Sequence, residues 1–269
     1  MWPWLAFLIL LYLVICALAW SLEKKLVYFP GPAPSTTPRE LGFEQQDVRV
    51  KTVDGLQLSA WYLPARAPHF AVLVCHGNAG SIQDRIPKAE ALLTYGASVL
   101  LFDYRGYGAS EGDPDEPGTY RDAEAAYDAL SALVPTLPIV VYGESLGGAV
   151  AVELARRRGV AALLLDSTFT SLPDVGARAY PWLPVRWLAS LRYDSLAKLP
   201  ALECPILIAH SRDDELVPYA QAEALYAAAR FPKVFVETHG DHNAGGLLLD
   251  PAHEDVLADF LTSATRAGR

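Results

Sequence analysis

The chain has 269 residues, 52% of them hydrophobic and 20% charged, and carries a formal net charge of −9. That supplies a core for one globular domain of about 240 residues with a short appendage, and it excludes a disordered or collagen-like chain. Nucleic acid is excluded as a partner because no basic stripe can neutralise phosphates; the longest basic run, Arg156-Arg157-Arg158, sits at the end of a predicted helix, where cations complement the dipole.

The opening stretch, MWPWLAFLILLYLVICALAWSL, has no charged side chain before Glu23-Lys24-Lys25. At about 1.5 Å per residue it reaches across a hydrocarbon core of about 30 Å. Trp2, Trp4 and Trp20 fall near its ends, as interfacial aromatic anchors do. Residues 1–23 are therefore predicted to be a single-pass transmembrane anchor, with the membrane as a partner. A cleaved signal peptide is the competing reading, through the A-x-A site Ala17-Leu18-Ala19. Against it, no Lys or Arg precedes an apolar run that is longer than a signal core. Ile15 before Cys16 argues against a lipoprotein, whose cleavage site wants a small residue there. Lys24 and Lys25, partly offset by Glu23, favour a cytoplasmic domain by the positive-inside rule. Three cysteines, Cys16, Cys75 and Cys204, lie in apolar surroundings and imply neither a disulfide framework nor a metal site.

Residues 24–46 read as a linker, with PGPAPSTTP at 30–38, and residues 47–269 as the domain. Two alternating stretches around Asp54-Gly55 predict an antiparallel hairpin, about 47–53 and 56–63. Beyond it, the apolar runs FAVLVCH, ASVLLFD, PIVVYG, VAALLLD, CPILIAH and KVFVET alternate with helical segments at 82–94, 119–133, 145–158, 219–229 and 251–264. The runs are continuous rather than alternating, as in strands buried on both faces. Right-handed crossovers then give an α/β fold, a mostly parallel eight-stranded sheet with helices on both faces. Residues 168–202 break the rhythm with Tyr180, Trp182, Trp187 and Tyr193, and are predicted to form a short cap.

GESLGG at 143–148 follows one buried run and precedes LGGAVAVELARRRG, which has helical character. A strand, a sharp turn and a helix are what an exposed serine nucleophile requires, and the helix N-terminus favours a developing oxyanion. Ser145 is the candidate nucleophile. A serine hydroxyl needs a base, and THGDHN after KVFVE supplies His239 and His242; His242 lies deeper in the loop and is preferred. The acid that orients the base should end a strand between the two, where HSRDDE offers Asp213, Asp214 and, more remotely, Glu215. The oxyanion hole needs the backbone N–H of Leu146 and one from HGNAGS at 76–81, where Asn78 leads and Ala79 is second. DYRGYGASEG at 103–112 lacks the spacing of a nucleotide-binding loop and reads as a structural loop, with Arg105 in a local ion pair.

Taken together, HGNAG, DYRGYGASEG, GESLGG, DDELVP and GDHN resemble the α/β-hydrolase superfamily. KLVYFP, TPRELGF, DVRVKTVDGLQLSAWYLP and RYDS resemble its membrane-anchored branch, related to the bud-emergence-type hydrolases and the palmitoyl-protein depalmitoylases, over residues 24 to 262. The family acid stands in an H-G-x-x-D pattern, and aligning HSRDD on it implies Asp214, with Ser211 in place of the glycine. The resemblance implies a serine esterase or thioesterase working through an acyl-enzyme without metal or organic cofactor, on a small-molecule or acyl-protein substrate. The anchor and the aromatic cap extend this to an apolar, lipid-derived acyl group. A serine peptidase or amidase, and a non-catalytic membrane-bound binding protein on the same fold, are the alternatives.

Overall fold

The computed structural model describes residues 2–243 and 246–266; Met1 and residues 267–269, within the predicted anchor and domain bounds, lie outside the described residues. Eight strands form the main sheet: β1 Gln46–Lys51, β2 Gln57–Leu63, β3 Phe70–Cys75, β4 Ala97–Phe102, β5 Ile139–Glu144, β6 Ala162–Asp166, β7 Ile206–Ser211 and β8 Lys233–Thr238. Their spatial order is β8-β7-β6-β5-β3-β4-β2-β1. Only β2 runs against the rest, antiparallel to both β1 and β4. The hairpin strands are shorter than predicted, because Thr52 turns its hydroxyl onto the Leu56 N–H (3.0 Å) and Asp54 (2.6 Å) while Gly55 takes φ +93°. A β-branched or aromatic residue there would be strained.

The strand faces alternate although the runs do not. Ala71, Leu73 and Cys75 of β3 pack into one core, Val72 and Val74 into the other, and Val141 and Tyr142 of β5 divide the same way. Both faces are covered by helices, so both need apolar side chains. Outside the sheet lie α1 Trp2–Ser21, α2 Ile86–Thr94, α3 Glu116–Leu133, α4 Leu146–Arg157, α5 Leu172–Ala179, α6 Tyr219–Ala228 and α7 Glu254–Arg266. Asp115 caps α3 by accepting from the Gly118 N–H at 2.6 Å, which starts that helix earlier than the apolar period indicates. The cap consists of α5 and the short turns Val185–Leu188 and Ser195–Lys198. Arg105 meets Asp122 at 2.8 Å and Asp54 at 2.9 Å, the local ion pairing expected of the 103–112 loop.

The segment expected as a linker is packed onto the domain. Phe29 and Pro30 pair in parallel with Ala79 and Gly80, Tyr28 is buried with its hydroxyl 2.8 Å from that of Tyr193, and Thr37 and Glu40 close a capping box around a turn at Pro38–Leu41. Its proline-rich composition sets an extended path, and strand pairing plus burial of Tyr28 hold that path down.

Candidate active site

The sheet order reverses direction between β3 and β5, and in open α/β sheets that crevice, beyond the C-terminal ends of the strands, is where ligands bind. The loop after β3 carries Asn78, and the turn after β5 carries Ser145. Ser145 sits at φ 50°, ψ −117°, a conformation that costs on the order of 1–3 kcal/mol in a non-glycine residue. Three hydrogen bonds hold it there. Its N–H donates to the Asp166 carbonyl (3.0 Å), and its carbonyl accepts from the Gly148 N–H (3.0 Å) and the Thr168 hydroxyl (2.7 Å). Glycine flanks the serine for lack of room: a Cβ on Gly147 would lie 2.0 Å from the Cys75 carbonyl oxygen, and one on Gly143 2.5 Å from that of Gly147.

The Ser145 hydroxyl oxygen lies 3.0 Å from His242 Nε2, and His242 Nδ1 lies 2.7 Å from Asp214 Oδ2. The other carboxylate oxygen of Asp214 accepts from the N–H groups of Leu216 (3.0 Å) and Val217 (2.7 Å). Burial would raise the Asp214 pKa, but the His242 hydrogen bond and the Val217 N–H outweigh it and hold the carboxyl below its ordinary range. Burial would likewise lower His242, yet the Asp214 bond and charge raise its pKa above the ordinary imidazole value. Nδ1 therefore carries the proton, and Nε2 is left as an acceptor facing the serine.

The other candidates go elsewhere. His239 is exposed and faces Asp213 at 3.9 Å, while Glu215 accepts the His242 backbone N–H at 3.2 Å and does not touch its ring. Asn78 and Leu146 border the same cavity as Ser145. Asn78 is braced from three sides: its side chain donates to the Val27 carbonyl (2.8 Å), and its carbonyl accepts from the Phe29 N–H (2.9 Å) and the Tyr107 hydroxyl (2.7 Å). Ala79 instead pairs with Phe29. His76 next to it is buried, its pKa pushed down to about 3 chiefly by burial, and its Nδ1–H donates to the Gly77 carbonyl at 2.7 Å. That neutral ring supports the loop.

Two neighbours escaped the sequence reading. The buried His210 places Nε2 3.4 Å from Asp214 Oδ2 and 2.8 Å from the Val217 carbonyl, so it helps hold the turn that carries Asp214; its position at a strand end was the only signal. Glu144, just before the serine, is held ionised by Lys88 (2.8 Å) and Arg85 (3.4 Å) despite its burial.

A family model described as serine aminopeptidase, S33, matches residues 66–196. An uncharacterised protein of Mycobacterium tuberculosis is 43% identical over 93% of this chain and 91% of its own. The α/β hydrolase domain-containing protein WAV2 of Arabidopsis thaliana is 34% identical (82% of this chain, 81% of its own), and bem46 of Schizosaccharomyces pombe 30% (93% and 89%). Among solved structures, the Pyrococcus furiosus esterase Pf2001 superposes with a TM-score of 0.73 at 23% identity, over 89% of this chain and 98% of that one. An α/β hydrolase of Vibrio vulnificus gives 0.67 at 22%, over 87% and 96%. Sheet order, elbow and relatives agree: the chain belongs to the α/β-hydrolase superfamily, alongside the bud-emergence-type protein bem46 and WAV2.

Proposed function

We propose that the protein is a membrane-anchored serine hydrolase that cleaves carboxylic esters or thioesters of apolar acyl groups through an acyl-enzyme. One observation carries this reading: the hydrogen-bonded line Ser145–His242–Asp214 ends in an apolar cavity of about 300 Å3 bordered by Asn78 and Leu146. His242 Nε2 takes the hydroxyl proton as Ser145 Oγ bonds to the acyl carbon, and the carbonyl oxygen becomes an oxyanion facing the backbone N–H groups of Asn78 and Leu146. The imidazolium, stabilised by Asp214, then returns its proton to the departing alcohol or thiol. Water repeats the sequence on the acyl-enzyme and releases the carboxylic acid.

The cavity lining favours acyl esters over aminopeptide substrates. An aminopeptidase site needs a carboxylate for the α-ammonium, and Glu23, the one carboxylate bordering the cavity among the described residues, already accepts from the Ser190 N–H, the Ser190 hydroxyl and the Leu191 N–H. The anchor rests on α1, a 20-residue helix that holds an 18-residue stretch of mean hydropathy 2.4 and is long enough at about 1.5 Å per residue to cross the bilayer. A fluorophosphonate probe tests the nucleophile. Wild type should label and Ser145→Ala should not; equal labelling of both would remove the enzyme reading in favour of a binding protein. Protease protection in intact cells tests the cytoplasmic side favoured by Lys24 and Lys25.

A further inference from the structure

We infer that the anchor helix is itself a wall of the acyl cavity, and that the substrate is a membrane-dissolved lipid with an apolar acyl chain, admitted sideways from the leaflet between anchor and cap. This rests on the serine hydrolase reading and adds where the acyl chain comes from and what measures its length.

The cavity that holds Ser145 is bordered by Ala19 and Trp20 of α1, by Leu26 just after it, and by Leu183 and Leu188 of the cap. The helix is clamped in that position rather than tethered. Glu23 accepts from Ser190 and Leu191, and the Tyr12 hydroxyl donates to the Trp182 carbonyl at 2.9 Å. Cys16, between those two contacts, is the one buried residue of α1.

The Tyr12 contact fixes how deep the cap sits. Tyr12 precedes Ser21, the last residue of α1, by nine positions, or about 14 Å of helix. A helix that crosses a core of about 30 Å with Ser21 at the interface thus carries Trp182 most of the way through one leaflet. The cap exposes Trp187 (92%), Trp182 (57%) and Tyr180 (40%); its exposed Arg178 and its Arg186, paired with Asp174, must extend toward the headgroups. The space between α1 and the cap then faces hydrocarbon. A lipid tail passes from leaflet to cavity without crossing water. The cavity of about 300 Å3 is the room such a tail enters. Cleavage after Ala19 would take away Ala19 and the Tyr12 contact while leaving Trp20 and Leu26 in the wall.

Full-length protein in phosphatidylcholine nanodiscs gives the test, through kcat/KM for p-nitrophenyl decanoate relative to acetate. Ala19→Trp and Leu26→Trp shorten the cavity. If each excludes two methylenes, at roughly fourfold per methylene, the decanoate-to-acetate ratio should fall roughly fifteenfold. Leu10→Trp, on the exposed face of α1, should leave it unchanged. An unchanged ratio in both cavity variants overturns the inference. Binding of dansyl-undecanoate to the full-length Ser145→Ala protein reads the cavity without catalysis: adding Leu26→Trp should weaken it by a similar factor, and equal binding overturns the inference. If wild type cleaves no ester while Leu26→Trp still weakens that binding, the cavity wall stands and the hydrolase reading falls. Faster cleavage of a soluble S-decanoyl cysteinyl peptide than of 1-decanoylglycerol in the nanodisc overturns lateral access.

Discussion

Replacing Asp214 with asparagine probes the site where its geometry permits a single outcome. Asp214 Oδ1 accepts from the N–H groups of Leu216 and Val217, so the amide oxygen of an asparagine must take that position; an NH2 there would face two donors. The amide NH2 is then forced toward His242 Nδ1, 2.7 Å from the original Oδ2. Nδ1 has to accept, the ring proton moves to Nε2, and Nε2–H points at the Ser145 hydroxyl oxygen 3.0 Å away. In that tautomer the ring cannot take the serine's proton. The expected loss is on the order of 10³ to 10⁴ in kcat for a p-nitrophenyl ester, with circular dichroism unchanged. The pH profile should move as well. In the proposed mechanism neutral His242 is the working form, and because its pKa is raised, wild-type kcat/KM should rise with pH through a midpoint above the ordinary imidazole value of 6.5. Without the Asp214 charge, burial acts with less opposition and the residual activity should rise at lower pH. Stability runs the other way: a raised imidazole pKa contributes fully below the unfolded value and is lost as pH rises through the folded one, whereas the lowered Asp214 pKa contributes above its unfolded value and is lost as pH falls through the folded one. A variant within about tenfold of wild type, equivalent to about 1.4 kcal/mol of barrier, or with an unmoved midpoint, would refute the tautomer argument.

Two further substitutions test the scaffold. Gly147→Ala drives a Cβ to 2.0 Å from the Cys75 carbonyl oxygen, a backbone atom that cannot swing aside, so β3 and α4 must separate. The expected cost is about 3 kcal/mol, a Tm lower by roughly 6–12 °C in calorimetry, together with loss of fluorophosphonate labelling; an unshifted Tm would contradict the close packing. Arg105→Ala leaves the fully buried Asp122 carboxyl without its ion-pair partner, and breaking a buried pair from one side costs about 3–5 kcal/mol. Urea unfolding should show the midpoint fall without a change in slope, and Asp122→Asn added to Arg105→Ala should recover part of the loss. A midpoint equal to wild type in the single variant would show that Asp122 is held by other means.

The elbow was readable because each of its requirements is local. A continuous apolar run marks a strand buried on both faces, Gly143 and Gly147 mark the absence of room for a Cβ, and the apolar period after Ser145 marks the helix. The hairpin was readable for the same reason, through Asp54-Gly55, although a side-chain turn at Thr52 trimmed its strands. The acid and the base were narrowed to neighbours, Asp213 or Asp214 and His239 or His242. Which carboxylate meets which ring depends on two loops, after β7 and β8, whose approach no local pattern records. In the fold the inner member of each pair faces inward, and the outer two face one another near solvent.

Short-range periodicity and turn chemistry encode the order of strands and helices, the strand-turn-helix at Ser145, and an N-terminal helix long and apolar enough to span a bilayer. Contacts between residues far apart in the chain emerge with packing. Phe29 and Pro30 pair with Ala79 and Gly80, Tyr12 reaches Trp182 across 170 positions, and Glu23 binds Ser190 across 167, turning an expected linker and tether into parts of the site. Each of these contacts includes a hydrogen bond to a backbone group, which every residue carries and no residue type announces. Their partners are chosen by how the cap, the anchor and the loop after β3 pack around the Ser145 cavity.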